Sequence, residues 1–224
     1  QHDLIMDSGR VGFEILQKGQ ELRFPQWFNN WFKLEESGFY KLEIEKTLYG
    51  NKWKEICKVK TPEKMVYFYK ASQDERVTNI QLLEDIYRMG KFKNYKDRSF
   101  TLEAIIRSAS DSSIDFYEEL LNGKNSSNAD EAIRGLGKLC PSQKAFSTLV
   151  RYFDMGFVNS IDETANPKFK ESMIESLHLN TLHEIEKFPP EMTVYFLNKV
   201  IADKKYEGAI KDRAMKIISP YKRE

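Results

Sequence analysis

Three histidines, two cysteines and 34 Asp and Glu are the side chains of this 224-residue chain that could do chemistry. Their spacing argues against most of it. His178 and His183 are five residues apart, so on one helix their directions diverge by about 140° and they do not chelate one metal. His183-Glu184 has no second histidine to complete an H-E-x-x-H motif. Cys57 and Cys140 are far apart and show neither metal nor redox spacing, and no local signature pairs a cysteine with a histidine as a nucleophile. No G-x-x-x-x-G-K-[ST] or G-x-G-x-x-G occurs, and Gly135-Leu136-Gly137 follows no strand, so it reads as a packing feature and not a phosphate loop. Acidic pairs such as Glu118-Glu119 and Asp162-Glu163 read as solvated faces. The residues therefore nominate no catalytic group, metal or cofactor.

Composition narrows the class further. Lys+Arg 35 against Asp+Glu 34 leaves a net charge of +1, without the basic excess that a general nucleic-acid binder uses to displace counterions. No run of 18 apolar residues is present to span a membrane. At 41% hydrophobic and 13% aromatic, the chain has ample material for a core. The start at Gln1-His2-Asp3 reads as following removal of an export signal, so an exported bacterial protein, periplasmic or extracellular, is expected; a cytoplasmic one is the alternative. Asn125-Ser126-Ser127 formally matches the glycosylation sequon, a pattern short enough to arise by chance.

The elements that would position any site divide near residue 75. Val11–Leu16 alternates as a half-buried strand. Tyr40, Leu42 and Ile44 fall on one face of the next, and Tyr49–Lys52 forms a turn. Ile56–Val59 and Met65–Tyr69 complete about five strands, a pattern that predicts a small antiparallel sandwich over residues 1–74. From Thr78 the period becomes helical: Ile80, Leu83, Ile86 and Tyr87, then Leu102, Ile105 and Ile106, then Ala132, Ile133, Leu136 and Leu139. Further stripes run through Phe146–Phe153, Val194–Ile201 and Ile210–Ile217. About eight helices are expected over 75–224. Residues 1–74 carry 12 basic and 11 acidic side chains and the remainder 23 of each, so neither half offers an electrostatic handle.

Two signatures resemble known families. Gly38-Phe39-Tyr40 resembles the tyrosine corner of immunoglobulin-like sandwiches, without the cysteine that antibody domains place at the position of Leu42. That resemblance implies an Ig-like topology, with the Tyr40 hydroxyl bonded to the preceding loop. Glu131–Pro141 resembles the first helix and turn of a HEAT repeat, with Ser142–Asp154 as its partner helix. Leu136, Ile174 and Met215 then stand at spacings of 38 and 41, in the range of stacked helix pairs of the HEAT and armadillo type. The expected fold class is α+β in two domains, an Ig-like sandwich followed by an all-α HEAT-like solenoid. Ala132, Gly135 and Gly137 would let its helices approach closely.

Such an architecture points to a non-enzymatic protein-interaction or scaffold module that binds a protein or peptide. The alternative is an accessory or regulatory part of an enzyme whose catalytic site is assembled from scattered residues. Two stretches are candidate contacts. Trp27, Phe28 and Trp31 lie in Phe24–Phe32, where aromatic residues dense enough for an interface hot spot cluster. Phe157 lies in Asp154–Asn166, a loop long enough to be functional.

Overall fold

A computed structural model describes residues 38–42, 45–49, 55–60, 64–68, 72–92 and 95–222. The chain divides into two compact units, Gln1–Lys70 and Ala71–Glu224.

In the first unit the described strands are β1 (Gly38–Leu42), β2 (Glu45–Tyr49), β3 (Glu55–Lys60) and β4 (Lys64–Phe68). They form two antiparallel ladders, β1 with β4 and β2 with β3, and no strand pairs with more than one other. The registers Gly38↔Phe68 to Leu42↔Lys64 and Glu45↔Lys60 to Tyr49↔Glu55 show the same two chain segments meeting along their length. This overturns the Ig-like sandwich, and with it the α+β fold class. A sandwich stacks two multi-stranded sheets face to face, and the described strands supply only a nested hairpin. Alternation identifies a strand; it does not say how many partners the strand has. Tyr40 sits mid-strand opposite Val66 rather than opening a strand after a corner. The expected strand at Val11–Leu16 lies outside the described residues.

The second unit is helical: α1 (Gln73–Met89), α2 (Tyr95–Ser108), α3 (Ile114–Leu121), α4 (Ser126–Lys138), α5 (Gln143–Met155), α6 (Pro167–Ile185), α7 (Pro190–Ala202) and α8 (Ala209–Ile218). The helix starts are written in local chemistry. Ser72 and Glu75 form a reciprocal capping box on α1, and Ser142 caps α5. Asn125 caps α4, its side chain accepting from the amides of Ser127 and Asn128, so the sequon asparagine serves as a helix cap. Asn166 caps α6, with Pro167 in its first turn.

These helices pack as consecutive pairs, α1 on α2, α3 on α4, α5 on α6 and α7 on α8. The second helices form a row in which α2 touches α4, α4 touches α6 and α6 touches α8, while α3 touches α5 in the other layer. The packing is solenoid-like. The expected partner of α4, α5, does touch it, but α4 packs more extensively on α3 and α6. Leu136, Ile174 and Met215 do lie on successive helices of one row, yet they are not equivalent: Leu136 is buried, Ile174 half-buried and Met215 exposed, with Ala214, Ile217 and Ile218 facing the core of α8 instead.

Close approach is achieved at α4. A Cβ built at Gly135 would stand 2.6 Å from the ring of Tyr117, which is fully buried on α3. At Gly137 it would stand 2.8 Å from Cβ of Glu184 on α6. Gly135→Ala should therefore destabilise the unit. Overpacking against a rigid ring costs about 1–3 kcal/mol, and the better helix preference of Ala offsets about 1 kcal/mol of it. Urea unfolding of the two proteins would check this; an unchanged or raised midpoint would show that Tyr117 gives way.

Candidate functional site

The outer face of α5 carries an open groove. Gln143, Phe146, Ser147, Val150, Arg151, Asp154 and Met155 line an open, shallow cleft of about 540 Å³. Their spacing follows successive turns of one helix face. The opposite face of α5 places Ala145, Leu149, Tyr152 and Phe153 in the core. Phe146 is buried as well, its ring against Phe188 and Phe196 (centroids 5.5 and 6.4 Å). Val150 is half-buried and Met155 is 47% exposed, so the floor is apolar and reachable.

Fixed charges flank that floor. Arg151 pairs with Glu118 at 2.5 Å, and Glu118 also accepts from the Thr148 hydroxyl at 3.2 Å. Asp154 pairs with Lys199 at 2.8 Å, while its backbone carbonyl accepts from Lys205 Nζ, also at 2.8 Å. Such part-exposed pairs contribute little to stability, but they hold polar groups in defined places beside an apolar surface.

Behind the groove, the end of α5 is tied to α6. His178 is buried at 3% exposure, with Nδ1 2.8 Å from the Ile174 carbonyl and Nε2 3.1 Å from the Phe153 carbonyl. The rings of Phe153, Phe157 and Tyr206 surround it, with centroids at 4.5, 5.3 and 5.6 Å. Burial holds its pKa below the ordinary histidine value, opposed by the two carbonyls, which favour the protonated ring; the Lys205 charge lowers it further. His183, on the same helix, is exposed and stands beside Glu186 and Arg213. The two histidines point to different environments, as their spacing requires. The Cys140 thiol donates to the Lys187 carbonyl at 2.9 Å, and burial raises its pKa. Glu84 is buried on α1, and burial raises its pKa against the effects of Ser113 and Arg88.

Phe157 is not the exposed contact that its loop led us to expect. It is 1% exposed. The chain leaves α5 through two left-handed residues, Gly156 (φ 68°) and Phe157 (φ 53°), which turn the phenyl ring back onto His178. The rest of the loop is tied down as well. Ser160 donates to the Leu121 carbonyl at 2.5 Å, Ile161 is buried, and Lys124 pairs with Glu163 at 2.6 Å. Trp27, Phe28 and Trp31 lie outside the described residues. The helical stripe through Phe146–Phe153 holds for Phe146, Leu149 and Phe153, which are buried, while Val150 is only half-buried and borders the outer face. The signal that marks it is the interleaving of Ser147, Arg151 and Asp154 at the same helical spacing.

Among the described residues no group of three or more His, Cys, Asp or Glu is placed to hold a metal, and no helix is long and apolar enough to cross a membrane. Compared with protein-family models, with curated proteins and with solved structures, the chain matches none. The resemblance drawn to HEAT and armadillo repeats thus extends no further than the pairing of helices.

Two outcomes follow from this geometry. Phe157→Ala should lower stability by about 3–5 kcal/mol, the cost of emptying a buried aromatic site; a loss within error in chemical denaturation would return Phe157 to the surface. For His178, the folded pKa lies below the unfolded one, so the unfolded state takes the proton first. Its contribution is fully present above about pH 6.5 and is lost as pH falls from there toward the folded value. Unfolding free energies between pH 7 and pH 5 should show an acid loss that is smaller in His178→Gln.

Proposed function

We propose that the helical unit is a non-enzymatic binding module that takes a peptide or a segment of another protein along the outer face of α5. The observation that carries this reading is the groove itself, an apolar floor reachable at Val150 and Met155, backed by the buried Phe146, between fixed polar groups at Arg151 and Asp154. Apolar contact supplies affinity in such a site, while a polar rim sets register and orientation. The solenoid-like packing supports it too, since stacked helix pairs gain stability from their neighbours and leave outward faces free.

Selection of peptides from a displayed random library on the full chain, followed by titration of the selected peptides, tests the proposal. Val150→Asp introduces a charge on the half-buried floor, and Lys204→Ala, at an exposed position outside the groove lining, serves as the control. We expect Val150→Asp to weaken binding at least about tenfold, corresponding to about 1.4 kcal/mol, and the control to leave it unchanged. Selected peptides that bind Val150→Asp as tightly as the parent chain, with the variant folded by circular dichroism, would remove the groove as the binding site.

A further inference from the structure

We propose that Glu84 makes the docking of α1 on α3 acid-tightened, the helix being held while the carboxyl keeps its proton and loosened when the carboxylate forms. Glu84 is 5% exposed on α1 and faces Ser113, in the turn Asp111–Ser113 that leads into α3. Arg88 is shared there among three acids. Its Nε and Nη2 donate to the two Glu119 carboxylate oxygens at 2.8 and 2.9 Å, and its Nη1 donates to Asp85 at 3.2 Å. Glu84 is left 3.8 Å from the guanidinium, beyond hydrogen-bond reach.

A carboxylate is poorly accommodated at that position. Its Oε1 is buried without a hydrogen-bond partner among the described residues. On α1 the charged groups that face it are Arg88, which favours the ion, and Asp85, which opposes it. On α3 they are Glu119, which also opposes it, and the Tyr117 hydroxyl, which donates to the Ile105 carbonyl at 3.4 Å. The Ser113 hydroxyl favours the ion. From α2, Arg98 stands over the Tyr87 ring at 5.0 Å. One hydroxyl and a shared cation offset only part of the hydration that a buried carboxylate gives up.

Ionisation thus adds a third negative charge to the two that already hold Arg88, and lifting α1 relieves it by returning the carboxylate to water. α1 is the first helix of the unit and packs on α2 and on the turn before α3, so it opens locally. The contribution of an acid whose folded pKa lies above the unfolded one is fully present below about pH 4.3. It is lost as pH rises through the folded value.

Native-state hydrogen exchange of the full chain between about pH 4.5 and pH 7.5, together with carbon NMR of the Glu84 carboxyl, tests the proposal. After correction for the intrinsic pH dependence of exchange, the opening constant at the Glu84 and Tyr87 amides should rise with pH. It should level off above the titration midpoint of Glu84 Cδ. The total rise should be about tenfold for each pH unit that separates this midpoint from about 4.3. The amides of Ile133 and Leu136 on α4 should not follow. Glu84→Gln is neutral throughout and nearly the same shape, so its opening constant should be flat over the same range. An equal rise in Glu84→Gln would overturn the proposal. Independently of any variant, so would a Glu84 Cδ midpoint at or below the ordinary value of about 4.3.

Discussion

The helical unit depends on how closely its neighbours can approach α4. That helix is packed by α2, α3, α5 and α6, so little of its circumference is free for long side chains. Ala129 and Ala132 are fully buried, and the two glycines stand where a methyl group would overlap Tyr117 on one side and Glu184 on the other. Glycine inside a helix costs about 1 kcal/mol relative to alanine. Here the cost is met by the packing that a missing Cβ permits. Glu184 is buried over Gly137 and is bonded to Lys187 at 2.5 Å, so the close approach brings a charged group inward together with its partner. On the side toward α2, Arg134 bridges Glu103 and Glu131, and Arg107 pairs with Glu103 at 2.5 Å, a half-buried network that ties α2 to α4.

A second junction sits at the end of α5. One carbonyl, that of Phe153, is shared by the helix-terminating amide of Gly156, the imidazole of His178 and the hydroxyl of Tyr206. The same helix carries a core face and a groove face, and its last turn is where they meet. Positive φ at Phe157, a conformation that a non-glycine residue adopts at a cost, is held by the packing of its ring against His178. Core and groove are thereby adjacent at the last turn of α5.

The sequence was informative wherever one local physical rule acts alone. Ser72 with Glu75, Asn125, Ser142 and Asn166 with Pro167 mark helix starts because a side chain and a backbone amide a few residues apart suffice to make the cap. Ala132, Ile133, Leu136 and Leu139 mark a buried stripe because α4 is apolar on the faces it buries. Ile86 shows the limit. It belongs to the helical stripe of α1, but it is 40% exposed, while Glu84 is buried. An apolar stripe only a few residues wide leaves the rotation of a helix undetermined until its neighbours are known.

What the sequence by itself determined is the succession of periods: alternation before about residue 75, a helical period from Thr78, and a stretch on α4 too small to keep neighbours at the usual distance. Those properties are local, set by backbone geometry and the shape of each side chain. Only the tertiary structure decided that the described strands form two ladders and no sandwich, that α4 pairs with α3, that Phe157 turns inward, and that an outer face of α5 is left as a groove. Each of those depends on contacts between residues far apart in the chain, and the pairing of distant segments has no period to be read from either segment alone.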